Sequence, residues 1–239
     1  MKVAITFIGT NRYLDYLPKY YENIEKYFLP NTEKVILAFT DGELNDTPDN
    51  LKVYPQEHLD WPFITLKRFE IINKARDVID ECDWLVFIDA DAIPVTTITE
   101  EEFLTDKPLF GVHHPCHYLG MDPHTKAPGA YEQNPKCEAY VDVSKSLPPV
   151  YWQGCLWGGK VPHVCAMIDE LEARVNRDLE NDIVAVWHDE TQINRYFLER
   201  TQDVHTFGPS YAFPEVFESY CNFSPKIVHL AKDNSKYHQ

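Results

Sequence analysis

No run of apolar residues in this 239-residue chain approaches the ~20 that a transmembrane helix requires. The stretch from Met1 to Gly9 leads straight into strand-like sequence without a cleavage site, so neither a signal peptide nor a membrane anchor is expected. The six cysteines, at 82, 116, 137, 155, 165 and 221, contain no CxxC pair. They read as reduced packing cysteines of a cytoplasmic protein. Positive charge is scarce: 22 Lys and Arg stand against 38 Asp and Glu, for a net charge of −16. This argues against nucleic acid and anionic membranes as partners, since both need basic patches. An anionic nucleotide substrate would need a metal and a few local Lys or Arg. Repeats and low-complexity tracts are absent too. What is present is 44% hydrophobic and 13% aromatic residues. That suffices for one large domain or two closely joined lobes, and the aromatic share suits stacking of bases or sugars.

The informative stretch runs from Trp84 to Pro94. Trp84–Ile88 reads as a strand buried on both faces. It ends in Asp89 and Asp91, which at i and i+2 point the same way. They lie at the carboxyl edge of the sheet, where open α/β folds bind ligands. Two carboxylates converging there fit a hard divalent ion, Mn²⁺ or Mg²⁺, bridging to a diphosphate. The competing reading is a solvated acidic turn. Upstream, residues 3–9 and 35–40 read as buried strands, with a helix to about Tyr27 between them and a short strand near Val53. Trp61-Pro62 is expected to open a long helix with Leu66, Phe69, Ile72 and Val78 on its face. This β-α-β-α-β order predicts a mainly parallel twisted sheet flanked by helices. After Pro94, strands are expected at 109–112, 151–157 and 226–230, and helices at 162–179 and 191–199. Residues 119–149 read as a long functional loop.

Three further segments carry candidate chemistry. His113, His114, His117 and His124 form a histidine patch, but Pro115 is expected to break the helix that would bring His113 and His117 together on zinc. A sugar-binding histidine or ordinary loop histidines are the other readings. Trp187-His188-Asp189-Glu190 places an aromatic beside two carboxylates at a helix start, able to serve glycosyl chemistry or merely to charge the helix end. Tyr151 to Gly159 mixes aromatics with glycines, as either a close ligand approach or a core strand with a turn.

Taken in order, these segments resemble the family 6 retaining glycosyltransferases, which include the blood-group A and B transferases and α1,3-galactosyltransferase. The stretch 187–196, W-H-D-E-T-Q-I-N-R-Y, resembles the family's W-H-D-E-S-H-L-N-K-Y. Residues 151–159, His114 to Tyr118, Tyr131 to Pro135, Arg12-Tyr13, Trp61 to Arg68 and Lys236 to Gln239 resemble further family segments. The resemblance implies a GT-A fold over 1–239, with a nucleotide-binding half (1–94), an acceptor half (95–230) and a closing tail (231–239). It implies a UDP-galactose or UDP-N-acetylgalactosamine donor and an α1,3 linkage to a galactoside or fucosylated galactoside acceptor. By the same resemblance, Asp89 and Asp91 hold Mn²⁺, Tyr13 and Ile8 form the base pocket, and Arg68 orients the Asp-x-Asp region. Gln153, Gly154, Cys155 and Asp189 meet the donor sugar, Lys236 closes over the diphosphate, and His114 and Trp187 meet the acceptor. Glu190 is then the nucleophile or charge stabiliser. The pair Gln153 and Cys155 departs from the family pairs associated with either donor. A metal-dependent UDP-sugar hydrolase and a non-catalytic carbohydrate-binding protein are the rival readings.

Overall fold

The computed structural model describes residues 1–120, 131–144, 148–220 and 222–232. Ten strands are described: β1 Lys2–Ile8, β2 Glu33–Thr40, β3 Leu51–Pro55, β4 Trp84–Ile88, β5 Ala92–Pro94, β6 Leu109–His113, β7 Trp152–Lys160, β8 Val204–Phe207, β9 Phe213–Pro214 and β10 Ile227–His229. Eight α-helical segments accompany them: α1 Leu17–Tyr27, α2 Phe63–Leu66, α3 Arg68–Asn73, α4 Arg76–Ile79, α5 Glu100–Phe103, α6 Pro115–Leu119, α7 Val161–Glu180 and α8 His188–Leu198.

Seven strands form the central sheet in the order β3-β2-β1-β4-β7-β6-β8. The first four run parallel, while β7 is antiparallel to both β4 and β6. Strand β1 explains why a run without alternation folds this way. Val3, Ile5 and Phe7 pack on one side with Leu17, Tyr20 and Ile24 of α1. Ala4 faces the opposite core, where Leu85, Phe87, Phe69, Ile168 and Phe197 meet. Both faces are covered, so both sets of side chains are apolar.

The expected helix after Trp61-Pro62 is three short pieces instead. Lys67 and Ala75 leave helical geometry, with φ/ψ of −92/12 and −106/19. The turn at Lys74 and Ala75 is closed by bonds to Ile71 and Ile72, three residues back. The apolar face survives the breaks: Leu66, Phe69 and Ile72 are buried. Pro115 also behaves differently from expectation. It opens α6 at the position where a missing N–H costs nothing, with His114 capping through its ring to the Cys116 N–H at 3.2 Å. His113 and His117 therefore do meet, Nε2 to Nδ1 at 2.9 Å. Among the described residues, however, no further Cys, Asp or Glu joins them closely enough to enclose an ion; His124 lies outside those residues.

A second, three-stranded sheet has the order β5-β10-β9. Strand β5 begins one residue after Asp91, so its antiparallel partner β10 lies beside the end of β4, with His229 opposite Ala92.

Candidate active site

At the carboxyl edge of β1 and β4 lies a cavity of about 330 Å³, lined by Ile8, Tyr13, Trp61, Arg68, Asp89, Asp91 and Lys232 among others. Asp89 sits in the turn ending β4, its N–H bonded to the Cys155 carbonyl at 3.0 Å and its own carbonyl accepting from Ala92 N at 2.9 Å. Burial pushes the Asp89 carboxyl up from the ordinary carboxylate range, against the pull of Arg68. Asp91 goes the other way. Burial would raise it, but His229 and Lys232 together hold it well below that range. The Lys232 ammonium donates to Asp91 Oδ2 at 2.5 Å and to the Tyr13 hydroxyl at 2.8 Å, and Asp91 Oδ1 lies 3.8 Å from His229 Nδ1.

Arg68 is the hub between this cavity and the carboxylates of α8. Its Nη2 lies 3.5 Å from Asp89 Oδ1, and its Nη1 lies 3.0 Å from Asp189 Oδ2. The same Nη1 donates to the Gly154 carbonyl at 2.8 Å. The guanidinium lies over the Phe87 ring, 4.4 Å from its centroid. A planar, forked cation can serve three acceptors and an aromatic face together, which a lysine ammonium cannot.

Helix α8 is fastened to β7 by Asn194, which accepts from Trp152 N (2.8 Å) and donates to Trp152 O and Glu190 O (2.7 and 2.8 Å). Its first residue, His188, has a left-handed backbone (φ 51°) and packs edge-on against Trp61, ring centroids 4.8 Å apart. A non-glycine residue in that region costs free energy, and such strain clusters at functional sites. The turn delivers Asp189 and Glu190 toward β7: Glu190 Oε2 accepts the Gly154 N–H at 2.8 Å. Burial pushes both carboxyls up to about 7, against Arg68 for Asp189 and against the Gly154 N–H, the Tyr151 hydroxyl and Arg68 for Glu190.

Strand β7 is irregular at this point. Its register with β6 jumps from Gly111↔Trp157 to Val112↔Gln153. Residues 154–156 thus bulge toward the site, as sheet irregularities near active sites often do. A Cβ on Gly154 would stand 3.0 Å from Glu190 Cβ and 3.3 Å from Asp189 Oδ2, so any larger residue would press the two acidic residues aside by a few tenths of an ångström.

Of the residues expected from sequence, Ile8, Tyr13, Arg68, Asp89 and Asp91 share the cavity wall. Gly154, Asp189 and Glu190 join them through Arg68 rather than by lining it. Gln153 carries a buried Oε1 without a hydrogen-bond partner, and Cys155 is buried beneath Asp89. His114 stands apart beside Tyr151, ring centroids 5.9 Å apart, and Trp187 is 38% exposed. Lys236 lies outside the described residues. Sequence reasoning missed His229 and Lys232. Neither carries a local signal, because each reaches Asp91 only through the pairing of β10 with β5.

Asp89, Asp91 and His229 each present a ligand atom, all within 4.8 Å of one another. The donors suit a divalent cation, and the buried His229 Nε2 lacks any hydrogen-bond partner. No helix among the described residues is long and apolar enough to cross a membrane.

A parallel half-sheet whose central strand ends in paired aspartates at a cleft, closed by an antiparallel strand and a helix bearing carboxylates, is a GT-A type glycosyltransferase architecture. The chain belongs to glycosyltransferase family 6, whose profile matches residues 1–237. It is 26% identical over 240 residues to the O-antigen biosynthesis glycosyltransferase WbnI of Escherichia coli, covering 100% of this chain and 98% of that protein. It is 24% identical over 239 residues to the histo-blood group ABO system transferase 2 of Rattus norvegicus, covering 96% and 68%. To the globoside alpha-1,3-N-acetylgalactosaminyltransferase 1 of Mus musculus it is 26% identical over 207 residues, covering 83% of this chain and 57% of that one. The common denominator of these relatives is glycosyl transfer.

Proposed function

We propose that this chain transfers galactose or N-acetylgalactosamine from a UDP-sugar, with retention, to the 3-hydroxyl of a galactoside or fucosylated galactoside. The observation that carries this reading is the unbroken polar path from Asp91 and Asp89 through Arg68 to Asp189, Gly154 and Glu190. It joins a cation-and-diphosphate site to a carboxylate suited to an anomeric centre. Residues 1–94 then supply the nucleotide half, 95–230 the acceptor half, and 231–239 the closing tail.

In this reading Ile8 and Tyr13 hold the uracil, and Asp89 and Asp91 hold Mn²⁺. The bound ion supplies neutralisation of the departing UDP. Arg68 keeps Asp89 and Asp189 in register, and its position fixes where the donor sugar lies relative to Glu190. Gln153, with its unpartnered oxygen, Gly154, Cys155 and Asp189 form the sugar-facing wall. Glu190, ionised, meets positive charge developing at the anomeric carbon, as nucleophile or as stabiliser. His114 and Trp187 are assigned to the acceptor, and Lys236 to the diphosphate.

The deciding experiment is UDP release with UDP-galactose and UDP-N-acetylgalactosamine in parallel, each with Mn²⁺ or EDTA, with and without lactose and 2′-fucosyllactose. Release that needs Mn²⁺ and rises with acceptor is expected. Release indifferent to acceptor would instead identify a hydrolase. Donor binding with no release under any condition would identify a non-catalytic carbohydrate-binding protein.

A further inference from the structure

The Asp89–Asp91 pair meets a third element that the linear sequence keeps far away. Strand β10 pairs antiparallel with β5, Val228 opposite Ile93 and His229 opposite Ala92. The Leu230 N–H closes the join on the Asp91 carbonyl at 2.9 Å. Backbone bonds on both sides of His229 thus fix where its ring stands, and the ring stands over Asp91. Its Nδ1 is 3.8 Å from Asp91 Oδ1, and its buried Nε2 has no hydrogen-bond partner. Of the two ring nitrogens Nδ1 is the one that faces the carboxylate, and with the ring proton on Nε2 it offers a lone pair to a cation held there. The three donors lie within 4.8 Å of one another, so small side-chain rotations bring them onto one ion.

We propose that His229 is the third protein ligand of the divalent cation, completing an oxygen, oxygen, nitrogen set that favours Mn²⁺ and its later transition-metal neighbours over Mg²⁺. The proposal rests on the metal site of the preceding reading and adds its nitrogen. Imidazole binds transition ions well, whereas Mg²⁺ prefers oxygen and gives up its water reluctantly. A set of two carboxylates alone would not separate the two ions in this way. The ligand is also mechanically significant: it ties the small sheet to the end of β4 through the ion.

The test uses the whole chain with UDP and Mn²⁺, read by electron spin-echo spectroscopy of the bound ion rather than by turnover. Directly bonded ¹⁴N should modulate the wild-type echo and vanish in His229→Gln. Equilibrium binding should show Mn²⁺ affinity falling at least about tenfold in that variant, while Mg²⁺ affinity changes less than about threefold. His229→Asn, with a shorter amide, serves as a second variant, and thermal melts of both establish that they fold. Mn²⁺ bound by the wild type without nitrogen modulation, or with equal affinity in the folded His229→Gln variant, would overturn the assignment and leave the aspartate pair standing. Failure of wild type to bind Mn²⁺ at all in the presence of UDP would overturn the aspartate site as well.

Discussion

Glu190 concentrates the chemistry in one group with opposing demands. Burial lifts its carboxyl to about 7, yet the proposed role needs the ionised form. Transfer rate should therefore fall as pH drops below about 7, with an acid limb of unit slope in a log rate–pH profile. Glu190→Gln should abolish transfer by several orders of magnitude, remove that limb, and still bind UDP and Mn²⁺. Near-normal turnover in the variant would sink the nucleophile assignment. Stability should respond in the opposite sense. A carboxyl whose folded pKa lies above its unfolded value favours the fold at low pH, and that advantage is lost as pH rises through about 7. Replacing it with a neutral amide that can still accept the Gly154 N–H removes a penalty on the order of 3 kcal/mol at pH 8. The melting temperature of Glu190→Gln minus that of wild type should be several degrees larger at pH 8 than at pH 5; no change between the two would contradict the raised pKa.

At the scale of elements, the bulge of β7 and the entry of α8 make one device. The bulge turns the Gly154 N–H toward Glu190 and its carbonyl toward Arg68. Gly154→Ala places a methyl 3.0 Å from Glu190 Cβ, tighter than ordinary packing, so the carboxylate must shift. The expected result is a fall in kcat of at least about tenfold, the scale of misplacing a catalytic group by part of an ångström, with UDP affinity within about threefold of wild type. An unchanged kcat would mean that the Gly154–Glu190 contact does not position the carboxylate. Much of this level was legible from sequence: β1, β2, β4, α7 and α8 follow local apolar patterning, and Asp89, Asp91, Asp189 and Glu190 lie at element ends where such patterns stop. Two local expectations failed for local reasons, the breaks at Lys67 and Ala75 and the helix that Pro115 opens. The His229 and Lys232 contacts were illegible because they depend on strand pairing across the chain: Asp91 and Lys232 are 141 positions apart.

Across the whole molecule, the small sheet brings the last described residues back onto the first 94. Lys232 is bonded at once to Tyr13, just after the first strand, and to Asp91, just after the fourth. Asp91 raises the proton affinity of that ammonium far above the ordinary lysine range despite burial, so it is charged at every working pH. Lys232→Met should strengthen Mn²⁺ binding in the absence of nucleotide by about tenfold or more, the worth of one nearby like charge, as read by equilibrium dialysis. Unchanged affinity would show that the ammonium does not compete.

A cation seat already filled by a tethered cation works as an ion exchanger. An arriving ion must evict the ammonium, so the seat changes by the difference between the two charges rather than by the whole charge of the newcomer. A sodium or potassium ion substitutes one positive charge for another and has no electrostatic reason to enter. An ion with two charges does. In the proposed metal site the lysine thereby filters by valence and the histidine by chemical softness, and the two filters act on the same aspartate.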